Sequence, residues 1–117
     1  MQPVGRITLP LLKVLREFAL APTGEHYGLE LARSTRLPSG TVYPILARLE
    51  HADWVTSDWE DIDEAAEGRR RRRYYRLTGE GAAAARAVLE EARDVVTDAR
   101  PAPEPARGQR RWKEAAT

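Results

Sequence analysis

The sequence predicts a mainly α-helical fold that contains one small β-hairpin. Three observations predict it: apolar residues recur at helical spacing in three consecutive segments, two short segments then alternate apolar and polar residues, and a final segment is rich in Ala, Leu, Glu and Arg. The 117 residues suffice for one small domain with an appendage. The absence of cysteine excludes disulfides, thiol nucleophiles and thiolate metal sites.

The first helix is predicted between Thr8 and Pro22. Thr8 is the expected N-cap, and Pro10 falls in the first turn, where its missing N–H costs little. Pro22 and Gly24 end the helix. Its buried face consists of Leu11, Leu12, Leu15, Phe18 and Ala19.

Two further short helices predict a helix-turn-helix. The second spans residues 27–35, and a turn with Pro38 and Gly40 leads to the third, for which Ser39 is the expected N-cap. The buried stripe of the third helix consists of Val42, Ile45, Leu46 and Leu49, at i, i+3, i+4 and i+7. Its opposite face consists of Thr41, Tyr43, Pro44, Ala47 and Arg48.

A hairpin follows the helix-turn-helix, which is the order of a winged helix. Strands are predicted at residues 54–60 and 73–77, and the charged stretch of about a dozen residues between them predicts a long loop that contains Gly68. The aromatic residues expected to anchor the hairpin on the helices are Trp54, Trp59 and one of Tyr74 and Tyr75.

The order of the charges in this hairpin is more informative than their sum. The chain has 19 Lys and Arg against 18 Asp and Glu, and a formal charge of +1 disfavours nucleic-acid binding. Residues 58–67 nevertheless contain six acids and no base, whereas residues 69–76 contain six arginines. The run of Arg69, Arg70, Arg71, Arg72 and Arg73 is placed to contact phosphates or a narrow minor groove. The alternative is that the preceding acids neutralise it, and the sequence leaves both open.

The final segment predicts a helix of about 20 residues that starts after Thr78. Its apolar stripe includes Ala85, Leu89, Ala92 and Val96. Such a helix is not stable without burying that face, so we expect it to pack on a partner. The expected organisation is a helix-turn-helix domain in residues 1–77, the long helix in residues 78–100 and a disordered, proline-containing tail in residues 101–117.

The exposed face of the third helix is the first candidate site. Thr41 and Tyr43 suit phosphate contacts, and Arg48 suits a phosphate or a guanine edge. The chain lacks a glycine-rich phosphate loop and a paired-carboxylate motif, so we expect no enzyme, no catalytic residue and no cofactor. His26 and Glu30 stand at i, i+4, but two residues are weak grounds for a metal site, and none is expected.

Three segments form a specific combination: residues 26–32 (HYGLELA), 39–50 (SGTVYPILARLE) and 73–81 (RYYRLTGEG). Together they resemble the PadR family of bacterial transcriptional regulators, over about residues 8–99. The resemblance implies a winged-helix homodimer that binds a palindromic operator in double-stranded DNA, usually as a repressor. It also implies that an effector often releases the DNA.

Carried over by position, the resemblance places the reading helix at residues 39–50 and the wing near residues 68–73. It adds Ser39, Gly40 and Pro44 to the DNA-binding candidates and makes the helix after residue 78 a dimerisation helix. Two features depart from the family: the wing loop is long and acidic in its first half, and the dimerisation helix has no aromatic residue for a drug-stacking pocket.

These observations predict a DNA-binding transcriptional regulator. No apolar run approaches the roughly 18 residues of a membrane span and no signal-peptide pattern is present, so we expect a cytoplasmic protein without a membrane partner. The alternative function is a winged-helix protein–protein interaction module that does not bind DNA. The operator sequence and the effector cannot be read from the sequence.

Overall fold

The computed structural model describes residues 3–99, which form a helical body with a three-stranded antiparallel sheet. In chain order, the elements are α1 (Leu9–Leu20), β1 (His26–Tyr27), α2 (Gly28–Thr35), α3 (Ser39–His51), β2 (Val55–Trp59), α4 (Glu64–Glu67), β3 (Arg73–Leu77) and α5 (Gly79–Ala99). None of these helices is long and apolar enough to cross a membrane. The tail predicted at residues 101–117 lies outside the described residues.

Helices α1 and α3 supply the centre of the core. As predicted, Thr8 Oγ1 accepts a hydrogen bond from the Leu11 N–H, at 3.3 Å, and α1 begins with a proline in its first turn. The N-cap of α3 is Pro38, whose carbonyl accepts the N–H groups of the first turn, so the expected cap at Ser39 is wrong. The buried apolar side chains of the two helices are Leu11, Val14, Leu15, Phe18, Val42, Ile45, Leu46 and Leu49.

Strand β3 lies at the centre of the sheet, between β1 and β2. Tyr75 pairs with His26 on one side and with Ser57 on the other, and its side chain is buried, whereas Tyr74 is half-buried. The sequence pattern does not predict strand β1 and places Tyr27 in the second helix. A strand of two residues has no periodicity to detect.

The wing, defined as residues 55–77, differs from the prediction at two points. Its loop contains α4, which Asp63 caps at the N-terminus and which ends at Gly68 in the left-handed conformation (φ 69°). Trp54, just before the wing, is 4% exposed and anchors the start of β2 as expected, but Trp59 is 52% exposed and does not anchor the hairpin. The Arg73 guanidinium instead lies over the Trp59 ring, 5.7 Å from its centroid.

Helix α5 begins against the start of β2. Thr78 Oγ1 accepts the Gly81 N–H at 2.8 Å, as a cap does, and donates to the Asp53 carbonyl at 2.8 Å. The side chains of Ala84 and Ala85 are buried in the same core as α1 and α3. The first turns of α5 therefore pack within the helix-turn-helix body, beyond the boundary expected at residue 77.

This packing corrects one of the residues expected at a dimer contact. Ala85 is fully buried inside its own chain, so it has no surface to offer a second copy. Leu89 packs at the edge of the core, and Ala92 is half-buried. Val96 lies outside the residues whose side chains are described.

Candidate nucleic-acid interface

The first half of α3 presents a polar face at the surface. The buried stripe on the other side of the helix fixes its orientation, because all four stripe residues lie in the core. Ser39, Gly40, Tyr43 and Pro44 are exposed, and Thr41 is half-buried. Five of the sequence-predicted site residues therefore lie together on one short stretch of helix. This surface has the form that an element entering a DNA groove requires.

Gly28 supports the largest side chain on this face. Tyr43 is 43% exposed, and its ring lies over the first residue of α2. A β-carbon at position 28 would lie 2.5 Å from Tyr43 Cε1 and 2.6 Å from the phenol oxygen. Only glycine leaves room for the ring in this position, so α2 positions the phenol that α3 presents. Gly28 lies in the first of the three motif segments, but no sequence pattern indicates this role.

The expected role of Arg48 at a base edge does not match its contacts. Arg48 Nε and Nη2 donate to the Val4 carbonyl at 3.0 and 2.7 Å, and Nη2 also donates to the Arg6 carbonyl at 2.5 Å. The Val4 side chain is buried in the core. Arg48 therefore holds the N-terminal segment against α3, a role that no local sequence signal indicates, because its partners are main-chain carbonyls more than 40 residues away.

The tether makes Arg48→Gln a stability variant. We expect the free energy of unfolding to fall by about 2 kcal/mol, because the Val4 and Arg6 carbonyls lose the charged guanidinium that donates to them. Thermal denaturation followed by circular dichroism measures this, with Arg86→Gln on exposed α5 surface as a control expected to change stability by less than about 0.5 kcal/mol. The opposite outcome is an Arg48→Gln protein whose stability is unchanged and whose DNA affinity depends less on salt. That outcome would show that Arg48 contacts a phosphate, as the sequence predicts.

Glu60 pairs with two of the wing arginines, defined as residues 69–73. Glu60 Oε1 accepts from Arg69 Nη1 at 2.7 Å, and Oε2 accepts from Arg72 Nη2 at 3.1 Å. The Arg69 guanidinium, followed by that of Arg72, holds the pKa of the Glu60 carboxyl far below its usual range. Because the pKa is depressed, the pairing stabilises the fold at neutral pH and is lost only as the pH falls through that low pKa.

The other wing arginines fall into two groups. Arg73 Nη2 donates to Ser57 Oγ at 2.7 Å and lies 3.4 Å from Glu50 Oε2, and Arg71 Nε lies 3.7 Å from Glu64. Arg70 is exposed and has no acidic partner within the described part of the chain. Of the two possibilities that the sequence left open, internal pairing therefore holds for four of the five wing arginines.

The two residues considered for a metal site are not brought together. His26 Nε2 lies 2.9 Å from the Ala21 carbonyl oxygen and its ring lies 4.5 Å from that of Phe18, whereas Glu30 lies 3.7 Å from Arg72. Among the side chains that the structure describes, no group of three or more His, Cys, Asp or Glu residues is arranged to hold a metal ion.

The comparison with protein families decides the assignment. The model of the transcriptional regulator PadR-like family matches residues 18–87, from the end of α1 into the first half of α5. The chain belongs to the PadR-like family. It is accordingly a DNA-binding transcriptional regulator with a winged-helix fold, and the family and fold class predicted from sequence are confirmed.

Solved structures agree with the PadR-like assignment. A PadR family transcription regulator from hypervirulent Clostridium difficile is 29% identical, with a TM-score of 0.58, over 74% of this chain and 92% of its own. The circadian clock associated protein Pex from anabaena is 21% identical, with a TM-score of 0.58, over 78% and 83% of the two chains. MepR, a transcription regulator of the Staphylococcus aureus multidrug efflux pump MepA, is 17% identical, with a TM-score of 0.55, over 82% and 67%. The last two show the fold alone, and no curated protein matches the chain.

Proposed function

We propose that this PadR-like protein is a repressor that binds a palindromic operator as a homodimer and that an effector releases it. The observation that carries the proposal is the exposed first half of α3, where Tyr43 is seated on Gly28 and the opposite stripe is buried. A rigid helix with one polar face free is what major-groove recognition requires. The wing adds cationic side chains, of which Arg73 lies 3.4 Å from Glu50 on α3.

In the proposed complex, the α3 helices of two protomers enter successive major grooves one helical turn apart. Thr41, Tyr43 and Ser39 contact phosphates and base edges, and the small or flat residues Gly40 and Pro44 let the helix approach closely. Arg70 contacts a flanking phosphate directly, since no acid among the described residues holds it.

The proposed dimer contact lies on the second half of α5. Leu89 and Ala92 are half-buried on this helix, which leaves apolar surface for a second copy, and the same helix face continues to position 96. An effector that changes the spacing of the two protomers would change the distance between their α3 helices. The two helices would then no longer fit successive major grooves, and the DNA would be released. Ala85 takes no part, since it lies in the core.

The test is operator binding by the full chain. DNA from the region upstream of the gene that encodes the chain is titrated with the protein at several salt concentrations and followed by fluorescence anisotropy. The protein should bind as one dimer per inverted repeat, with an affinity that falls as the salt concentration rises. A scrambled duplex of equal length is the control, and sedimentation gives the mass of the complex. If neither duplex binds at low salt while the protein captures a protein partner, the interaction module is the correct function.

A further inference from the structure

We propose that Glu60 sets the DNA affinity of this protein by holding Arg69 and Arg72 away from the phosphate backbone. The inference rests on the proposed function, because DNA affinity is its readout. Among the wing arginines, Arg70 is then available to phosphate, whereas the two partners of Glu60 are withheld.

The Glu60 carboxylate is surrounded by donors on both oxygens. Besides the two guanidinium contacts, Arg69 Nη2 donates to Oε2 at 3.2 Å and the Arg72 backbone N–H donates to Oε1 at 2.7 Å. The Glu60 side chain is 10% exposed, whereas the side chains of Arg69 and Arg72 are 41% and 47% exposed. The acid therefore lies beneath the arginines, in charge-assisted bonds of the strong bidentate kind.

Arg72 is held from two further directions. Its guanidinium lies 4.0 Å from the centroid of the Tyr27 ring, and its Nη1 lies 3.7 Å from Glu30 on α2. The Tyr27 hydroxyl donates to Glu60 at 3.4 Å, so β1, α2 and the wing meet at this one arginine. An arginine fixed between two carboxylates and an aromatic ring is part of the junction between wing and helices.

The affinity for the phosphate backbone depends on how many cationic side chains reach the DNA. The salt dependence of affinity reflects the phosphates that protein cations neutralise. An arginine bonded to a carboxylate must leave it to neutralise a phosphate, or must bring a negative charge with it. A glutamate is charged at physiological pH, and its arginine partners lower the pKa of Glu60 further, so protonation does not release them.

The first experiment compares Glu60→Gln with Asp61→Asn. Both remove one negative charge from neighbouring wing positions, but Asp61 is exposed and holds no arginine among the described residues. For Glu60→Gln, we expect the slope of log affinity against log salt to steepen by about 0.9–1.8, for one or two additional phosphate contacts. Its affinity relative to the wild type should then grow roughly threefold to sevenfold between about 0.3 M and about 0.1 M salt. Asp61→Asn should leave the slope unchanged.

A second experiment uses arginine variants of the wild-type chain. Arg70→Gln should flatten the slope by about 0.9, whereas Arg69→Gln should not change it. In the Glu60→Gln background, Arg69→Gln should flatten the slope, because the side chain is then free to bind phosphate. These single arginine variants give the answer even if Glu60→Gln does not fold, which circular dichroism would reveal.

The outcomes separate the two proposals. Failure of the wild-type chain to bind operator DNA overturns the proposed function. If the wild type binds and Glu60→Gln behaves as Asp61→Asn does, or if Arg69→Gln flattens the wild-type slope, Glu60 does not withhold its partners and this inference is overturned. A merely structural role of Glu60 would weaken binding on its removal, and so cannot produce a steeper slope with tighter binding.

Discussion

Replacing Gly81 with alanine is expected to lower the free energy of unfolding by about 3 kcal/mol. A β-carbon at position 81 would overlap the Trp54 carbonyl oxygen and lie 2.6 Å from its carbonyl carbon. That carbonyl also accepts the Thr78 N–H at 3.0 Å, so the obstacle is main chain at the junction of β2 and α5 and cannot rotate away. For a domain of about 100 residues, the melting temperature should fall by about 12–24 °C.

Gly79→Ala is the matched control. Gly79 is the first residue of α5, and a β-carbon there would meet nothing within 4 Å. Alanine is the better helix former, so this variant should unfold at the same temperature as the wild type or slightly higher. Calorimetry measures both. Equal stability of the Gly81→Ala and wild-type proteins would mean that α5 does not approach β2 as closely as described.

The largest effect on DNA binding is expected from Gly28→Ala. The added β-carbon would displace the Tyr43 ring, because the nearest atoms belong to the end of that side chain and not to the backbone. Loss of one hydrogen bond to a charged phosphate costs about tenfold in affinity per half-site, and thus about a hundredfold for two half-sites. Stability should change by less than about 1 kcal/mol, since the ring can rotate outward and alanine favours the helix.

A double-mutant cycle isolates the mechanism of this effect. In a Tyr43→Ala background, Gly28→Ala should change operator affinity no further, because the displaced ring is already absent. Fluorescence anisotropy with the operator duplex measures all four proteins, and Tyr43→Phe shows how much of the effect belongs to the hydroxyl. Wild-type affinity in Gly28→Ala would exclude the seated phenol as a DNA contact.

Much of the fold could be predicted because it depends on periodic patterns. The stripe that begins at Val42 identifies α3 and its buried face, and Thr8 and Thr78 mark helix starts through side-chain oxygens that accept N–H groups. The N-cap predicted at Ser39 is wrong because Pro38 already provides the extended residue at which α3 starts. Strand β1 and the single-turn helix α4 could not be predicted, because elements of two and four residues are too short to show a repeating apolar pattern.

The candidate site was less accessible to sequence reasoning. The residues of α3 could be placed on one face, because helical geometry fixes them relative to each other. The partners of Arg48 and Tyr43 could not be predicted, because a main-chain carbonyl at Val4 and the missing β-carbon of Gly28 leave no chemical pattern. The sequence of the wing places acids and arginines next to each other along the chain. Which acid pairs with which arginine depends on the register of β2 and β3, and that register brings Glu60 to Arg69 and Arg72.

The carboxylate beneath the wing arginines also bears on how the protein is distributed inside a cell. Genomic DNA offers on the order of a million or more non-specific sites, which compete with one operator for the same molecules. Attraction to these sites depends on charge alone, whereas attraction to the operator also depends on the α3 surface. On the proposed function, holding Arg69 and Arg72 on Glu60 lowers the charge-dependent part of both attractions and leaves the part that depends on the α3 surface unchanged. A regulator of this proposed kind would be retained at fewer non-specific positions and would owe a larger share of its operator affinity to the α3 surface.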